Sequence, residues 1–323
     1  MEIERIFKNS EDKLVMREER VRIARIKSKR TPFYNFQKNY SSFEMIEQYP
    51  CSSIPKIEQL FVMLGRKLGI VIMNPKVKRI EADILLINDD LFPEQVGYIR
   101  KHNPNLPIVL RYSNPVRNAR FKPEEYRKYN VVFSSFQESD CIQYGMYYSP
   151  AYITYLLPKD NGHTVEEYDA VYFGRDKGRC GLVKELENVL TNSGYVCYIH
   201  LVSDNNQLIH TGNYNKPIPY EKVLEYYYRS KTIIDIQQKH QEGLDIRAIA
   251  SIVYGKKLII NNPIIKGMDF YNPSNIFVVE DNNLDKLDSF MKEKFVPYPI
   301  SIVEKYSEDG FINNLIQWSG LRK

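Results

Sequence analysis

The chain has 323 residues, 43% of them hydrophobic, with 45 lysines and arginines against 40 aspartates and glutamates. This length is typical of two domains, the apolar fraction excludes a disordered chain, and a formal net charge of +5 does not by itself predict nucleic-acid binding. The four cysteines form no CxxC pair and no apolar run of about 18 residues occurs, so we expect a cytoplasmic protein without a zinc site, a disulfide framework or a membrane span.

The segment RVRIARIKSKR, residues 20–30, has two interpretations. Val21 and Ile23 alternate with Arg22, which is typical of a strand. The seven lysines and arginines between Arg17 and Arg30 are instead typical of a basic helix face, which is either solvated or in peripheral contact with an anionic membrane. No glycine-rich turn follows an opening apolar strand here, so the N-terminal half shows no nucleotide-site motif.

The next part of the chain alternates between strand and helix patterns. Apolar runs predict strands at 69–74, 83–89, 107–113 and 130–136. Amphipathic patterns beside them predict helices at 56–68, 92–102 and 123–129. Nearly continuous apolar strands separated by helices are the pattern of a parallel sheet covered on both faces.

A second alternating series follows an irregular stretch. It predicts strands at 168–174, 195–202, 231–237, 256–262 and 275–281. Its predicted helices are 181–193, 219–230, 243–255 and 284–294, followed by a closing helix at 306–318. We therefore expect an α/β protein with two Rossmann-like domains, 1–155 and 156–305, and a segment 306–323 that packs back on the first domain.

Cationic residues follow the first strand of the second series. The strand DAVYF runs into Gly174, Arg175, Lys177 and Arg179, and a helix then begins. In an open parallel sheet ligands sit at the carboxyl ends of the strands, where helix N-termini offer free amides to a phosphate. The pattern predicts a diphosphate site, and a charged surface turn is the alternative.

The stretch DIQQKHQEGLDIR predicts a second loop at the same edge. Asp235 ends a strand, Gly243 makes the turn, and Arg247 lies one turn into the next helix. Arg247 would reach the same diphosphate, or it would pair structurally with Asp235 or Glu242.

Several motifs in this order resemble bacterial GT-B glycosyltransferases of capsular polysaccharide and lipopolysaccharide synthesis. The stretches DAVYFGRDKGR, IIDIQQKHQEGLDIRAIASIVYGKKLIINN and MDFYNPSNIFVVED are similar to that family's C-terminal domain, and ADILLINDDLFPEQVGYIRKHNPNLPIVLRYSNPV is similar to its acceptor-side domain. The resemblance implies a GT-B-like fold, with two Rossmann-like domains facing across a cleft. It also implies a nucleotide-diphosphate sugar as donor, a glycan or lipid-linked glycan as acceptor, and no bound metal or other cofactor.

The resemblance also assigns roles to residues. It places the family's phosphate loop on Gly174, Arg175, Lys177 and Arg179, and its donor-helix turn and following cations on Gln241, Gly243, Arg247 and Lys257. Where the family carries a glutamate that holds the donor ribose, this chain has Ala250. That departure keeps a second hypothesis open, in which the chain is a non-catalytic nucleotide-sugar- or glycan-binding partner subunit.

An inverting transferase needs a general base on the acceptor side. Asp89 and Asp90 follow the strand DILLIN in the first domain and are the candidates for this role. The alternative is that one of them caps the helix that begins near Pro93. A retaining mechanism would need no such base.

Overall fold

The computed structural model describes residues 21–27, 41–50, 55–152, 166–204, 214–238 and 243–321. These residues form two all-parallel sheets, one in each half of the chain, with helices packed on both faces. Within them, every helix is too short or too polar to cross a membrane. The predicted site residue Gln241 lies outside the described residues.

The first sheet has the strand order β2-β1-β3-β4-β5-β6. Its strands are β1 (Ile23–Lys27), β2 (Glu44–Glu47), β3 (Ile84–Asn88), β4 (Ile108–Tyr112), β5 (Val132–Ser135) and β6 (Tyr147–Tyr148). Its helices are α1 (Pro55–Leu68), α2 (Pro93–His102), α3 (Pro123–Arg127) and α4 (Glu138–Tyr144).

The second sheet has the strand order β11-β10-β9-β7-β8. Its strands are β7 (Tyr168–Arg175), β8 (Cys197–Val202), β9 (Ser230–Asp235), β10 (Lys257–Ile260) and β11 (Ile276–Val278). The helices that follow are α5 (Cys180–Asn192), α6 (Tyr220–Tyr228), α7 (Ile246–Val253), α8 (Leu287–Lys292), α9 (Ile300–Lys305) and α10 (Glu308–Trp318).

The basic segment near the N-terminus contains a strand, as the first of the two interpretations predicts. Strand β1 lies inside the first sheet, between β2 and β3. Arg25 and Lys27 are only 4% and 8% exposed there, so the expectation that they contact a membrane is wrong. Lys29 and Arg30, which the same expectation included, lie outside the described residues.

The predicted strand at 69–74 is absent from the structure. Residues 70–74 run irregularly, and Val71 and Met73 pack on the core of the first domain. Strand β1 lies beside β3 instead. Of the segment's apolar side chains only that of Met73 is buried, whereas Val71 and Ile72 are half-buried and Ile70 is exposed.

The last helix, α10, packs on the first sheet although it follows the second in sequence. Phe311, Leu315 and Trp318 form one apolar cluster with Ile23 and Leu86 of the sheet. The ring of Phe311 also stacks on Tyr152, with 4.1 Å between ring centroids. Helix α10 therefore completes one face of the first domain.

This packing predicts a stability loss from a mutation close to the C-terminus. Leu315 is fully buried, so Leu315→Ala should lower the free energy of unfolding by about 2–5 kcal/mol through lost transfer energy and the cavity left behind. Urea unfolding followed by circular dichroism measures this change. Ile300→Ala, at a 47% exposed position, is the control and should change stability by about 0.5 kcal/mol or less. An equally small effect at Leu315 would contradict the packing of α10.

Candidate functional site

Each sheet has one point where the strand order reverses, and a ligand crevice is expected at the carboxyl ends of the strands there. In the first sheet this point lies between β1 and β3, and in the second between β7 and β9. We call these places the first edge and the second edge. Lys27 and Asn88 end the strands at the first edge, and Arg175 and Asp235 end them at the second.

At the first edge, one face of the sheet changes from apolar to polar residues toward the carboxyl ends of the strands. Leu86 pairs with Val109, whereas two residues further along Asn88 pairs with Arg111, which pairs with Ser134. All three of these polar side chains are buried, and Arg25 donates a 3.0 Å hydrogen bond to the Asn88 side chain. The Ser134 hydroxyl and the Arg25 Nε have no partner among the described residues. Polar groups thus replace the apolar core at this edge.

Asp89 and Asp90 follow directly after β3, and neither caps helix α2. Residue Phe92 precedes that helix, and its amide donates to the Gln95 side chain at 3.1 Å, so the capping alternative is wrong. The Asp89 carboxylate accepts a 3.1 Å bond from the Ser113 amide, which ties the ends of β3 and β4 together. Asp90 is exposed. Of the two, Asp90 is therefore the more accessible to a ligand.

The surroundings of the first edge shift the pKa values of its carboxyl groups upward and that of its lysine downward. Burial raises the pKa of Asp89 to about 6, and the neighbouring Asp90 adds to the rise. Protein atoms crowd around Asp90 although it keeps solvent contact, and this desolvation raises its pKa while Lys27 opposes the rise. Burial and the Arg25 charge lower the pKa of Lys27 to about 7, against the pull of Asp90. Asp89 and Lys27 therefore have pKa values close to neutral pH.

The sequence interpretation did not identify Arg25, Lys27 or Arg111 as site residues. It left the basic segment open between a strand and a basic helix face, and neither interpretation buried the cations, because buried lysines and arginines are rare. The signal that would have found two of them is the alternation Ile23, Arg25, Lys27, which places both cations on one face of a strand.

At the second edge, Arg247 is held by protein groups. Its Nε donates to Asp235 at 2.8 Å, its Nη1 donates to the Phe173 carbonyl at 3.0 Å, and its Nη2 donates to Asp245. Asp235 is fully buried. The structural pairing of Arg247 with Asp235, one of the two alternatives, is therefore present.

Carboxylates already occupy the two helix starts that the sequence predicted to be bare. The Asp245 side chain accepts a 2.7 Å bond from the Arg247 amide at the start of α7. The Asp176 side chain accepts bonds from the amides of Arg179 and Cys180, at 3.0 and 2.9 Å, at the start of α5. A phosphate would have to bind beside these caps.

The predicted cations divide into three groups. Arg175 and Lys177 are exposed beside the second edge. Arg179 is buried and donates to backbone carbonyls, including that of Ile236 at 2.9 Å. Lys257 begins β10, at the opposite end of the sheet, where its Nζ donates to the Phe290 and Glu293 carbonyls. The donor-binding expectation for Lys257 is therefore wrong. This residue is the first of β10, whereas the donor is expected at the carboxyl end of the strand.

The two predicted glycines lie at close contacts. A Cβ atom added to Gly174 would come within 3.2 Å of the Arg247 guanidinium, so the loops after β7 and before α7 do converge. A Cβ on Gly243 would lie 2.2 Å from the Phe136 ring, which follows β5 of the first domain. Gly243 therefore allows the two domains to touch beside their edges. Its predicted role was the approach of a phosphate.

Position 250 is not open to a ligand. Ala250 is fully buried within the apolar cluster that packs α7 against the second sheet. A glutamate there would place its carboxylate in an apolar core. Any contact to a donor ribose in this chain must come from another residue.

A recess of about 390 Å³ lies beside the first edge. Its wall contains Tyr49, which follows β2, and Phe92, which follows Asp90 by two residues. Phe61, Ile70 and Phe121 complete most of its apolar lining. Asp90 itself does not line the recess, and Phe92 is the link between the two in sequence.

Solved structures with a similar fold include a glycosyltransferase involved in avilamycin A biosynthesis, with a TM-score of 0.50 and 9% sequence identity, covering 93% of this chain and 97% of that chain. HepE from Anabaena in complex with UDP and glucose matches with a TM-score of 0.46 and 10% identity, covering 94% and 98%. Sucrose-phosphate synthase from Thermosynechococcus elongatus matches with a TM-score of 0.43 and 11% identity, covering 94% of each chain. No protein-family model and no curated protein sequence matches. The likeness to the avilamycin glycosyltransferase, together with the two parallel sheets, confirms the GT-B-like fold of two Rossmann-like domains.

The buried ion pair at the second edge predicts unequal effects of two arginine substitutions. Arg247→Ala leaves the fully buried Asp235 without its cation, so it should lower the free energy of unfolding by about 3–5 kcal/mol. The exposed Arg175→Ala is the matched control and should change it by about 0.5 kcal/mol or less. Urea unfolding measures both, and similar small losses would show that Arg247 is not needed for folding.

The shifted pKa values of Asp89 and Lys27 predict that the stability of the fold depends on pH. The raised pKa of Asp89 stabilises the fold below 3.8, and this contribution is lost as pH rises through about 6. The lowered pKa of Lys27 has the opposite sign, so stability increases as pH rises from about 7 toward 10.5. Asp89→Asn and Lys27→Met should flatten the acid and the alkaline limb respectively.

Chemical denaturation of the parent and the two variants from pH 4 to pH 10 measures these limbs. Lys101→Met, on the exposed face of α2, is the control for loss of a positive charge. An alkaline limb that persists in Lys27→Met would assign it to another group.

Proposed function

We propose that the chain is a glycosyltransferase that moves a sugar from a nucleotide-diphosphate sugar to a glycan or lipid-linked glycan acceptor. The observation that carries the proposal is that the first edge has an exposed carboxylate and the second edge has exposed cations. An exposed carboxylate, Asp90, stands beside the first edge, and two exposed cations, Arg175 and Lys177, stand beside the second. The contact of Gly243 with Phe136 joins the two domains near these edges. The fold shared with an antibiotic glycosyltransferase supports the same activity.

The transfer is a displacement at the anomeric carbon of the donor sugar. The acceptor hydroxyl oxygen forms the new bond to this carbon, the bond to the diphosphate oxygen breaks, and the hydroxyl proton passes to Asp90. Arg175 and Lys177 stabilise the charge that develops on the leaving diphosphate. A raised pKa makes Asp90 a stronger base while it remains ionised, and the Lys27 charge opposes this rise.

The cellular role in the proposal rests on the resemblance of the sequence motifs. It is surface-polysaccharide synthesis, of capsule or lipopolysaccharide, on the cytoplasmic side of the membrane. The proposal includes no bound metal, because side-chain cations take the role of neutralising the diphosphate. Transfer activity that survives EDTA is the corresponding expectation, and activity restored only by a divalent ion would reject this part.

The second candidate is a non-catalytic subunit that binds a nucleotide sugar or a glycan. Ala250 favours it, because the core position leaves no room for the glutamate of the family. The carboxylate caps on α5 and α7 favour it as well, since they occupy amides that would otherwise meet phosphate. A chain that binds a nucleotide sugar but releases no nucleoside diphosphate with any acceptor would match this candidate.

The donor site is tested by calorimetric titration of UDP, GDP, CDP and dTDP into the parent chain. Arg175→Ala and Lys177→Ala should each weaken binding of the preferred nucleotide about tenfold, because each removes a charge-assisted contact of about 1.5 kcal/mol. Lys294→Ala, an exposed cation next to Glu293 at the opposite end of the sheet, is the control. Unchanged affinity in both variants would move the donor site elsewhere.

A further inference from the structure

The recess beside the first edge is lined mainly by aromatic and aliphatic side chains. Tyr49 and Phe61 stack with ring centroids 6.3 Å apart, and Phe92 and Phe121 lie 5.3 Å apart on another part of the lining. The Arg120 guanidinium lies 4.5 Å from the Phe92 ring centroid. The charged residues Arg120 and Glu94 also line the recess. The wall therefore offers mainly ring faces and aliphatic groups, with two charged side chains among them.

One polar side chain of this wall, that of Gln95, is fixed in place by hydrogen bonds. Gln95 is buried, and its side-chain oxygen accepts bonds from the Gln48 side chain at 3.0 Å and from the Phe92 amide at 3.1 Å. Its side-chain nitrogen lies 3.4 Å from the Tyr49 hydroxyl. This network holds two of the lining aromatic residues, so the shape of the recess is present before a ligand arrives.

Apolar residues continue from the recess onto the surface. Ile70, which lines it, is 56% exposed, and Leu68 is 62% exposed. Exposed apolar groups around a concave site are typical of a binding surface. A volume of about 390 Å³ is within the range of sites for small molecules, which favours a ligand over a flat protein contact.

We propose that this recess binds an apolar or aromatic part of the acceptor, so that the acceptor is amphipathic and not a free glycan. The inference rests on the proposed function. A saccharide that filled this recess would lose hydrogen bonds to water, and the aromatic and aliphatic groups that form most of the wall would not replace them. A ring or chain held against Phe92, two residues from Asp90, brings the attached hydroxyl groups to the candidate base.

Two chemical sources, an aromatic ring or an alkyl chain, fit this wall equally, and three glucosides distinguish them. Phenyl β-glucoside and n-octyl β-glucoside, the latter below its micellar concentration, should bind at least tenfold more tightly than methyl β-glucoside in saturation-transfer NMR titrations. The stronger of the first two identifies the ring or the chain as the preferred group. Equal affinity of all three glucosides, or no binding by any, would overturn the inference.

Two variants locate the binding. Phe92→Ala removes one ring, and Ile72→Trp fills the recess, so each should weaken binding of the preferred glucoside at least tenfold. Phe295→Ala, a half-buried phenylalanine of the second domain, is the matched control and should leave binding unchanged. Binding that persists in both recess variants, with unfolding curves showing that they are folded, would place the glucoside elsewhere.

The nucleotide titrations separate this inference from the proposed function. Nucleotide binding without selective binding of the two apolar glucosides would reject the amphipathic acceptor and leave glycosyl transfer standing. Selective glucoside binding without binding of any nucleotide would confirm the recess as an apolar site but reject its link to transfer.

Discussion

A guanidinium group carries five N–H donors, and inside a protein these donors need acceptors. The first domain is organised around two such groups. Arg111 donates to the Ser149 side chain and to the Pro150 carbonyl at 2.9 Å, and Arg25 donates to the Tyr152 hydroxyl at 2.8 Å. Both arginines come from inner strands of the sheet. They fix the chain at the place where it leaves the first domain. The stacked rings of Tyr152 and Phe311 lie over Arg111, and the ring of Phe43 lies over Arg25.

These buried cations have an electrostatic consequence at the first edge. Among the described residues neither Arg25 nor Arg111 has a carboxylate within ion-pair distance, and both bond to neutral acceptors. Their charge therefore acts on the next polar groups. Arg25 lowers the pKa of Lys27, and Arg111 opposes the desolvation that raises the pKa of Asp89. Arg25 and Arg111 thus hold the fold together and also shift the pKa values of Lys27 and Asp89, which lie beside Asp90.

The apolar pattern of the sequence predicts most strands of both sheets, because a buried parallel strand is apolar along its whole length. It left β1 undecided, since Arg25 and Lys27 are the residue types that usually indicate a surface. It was wrong at 69–74, where a strand-like apolar run packs without hydrogen-bonding to the sheet. Strand propensity and apolar periodicity do not specify which strands pair with one another, so they cannot tell whether an apolar segment joins the sheet.

Strand direction also predicts the positions of some of the candidate site residues, but not of all. The direction of parallel strands places Asp89, Asp90, Arg175 and Lys177 at the two edges, and this is where the structure has them. Lys257 was assigned by motif, without regard to the end of its strand. Asp245 occupies the N-cap position of α7, where aspartate is common, so its sequence position indicates a cap and not a bare helix start. Asp176 lies three residues before Arg179, the N-cap residue of α5, so its position carries no such signal.

The return of α10 to the first sheet has a consequence for how the chain folds during synthesis. Domains generally fold as they leave the ribosome, the N-terminal one first. Here the apolar face formed by Ile23, Ile84 and Val109 is covered by Phe311 and Leu315, which are translated only after every strand of the second sheet. The second domain can complete its core before α10 has left the ribosome. The first domain keeps this face uncovered until then, so the nascent chain exposes an apolar surface while the second domain is synthesised.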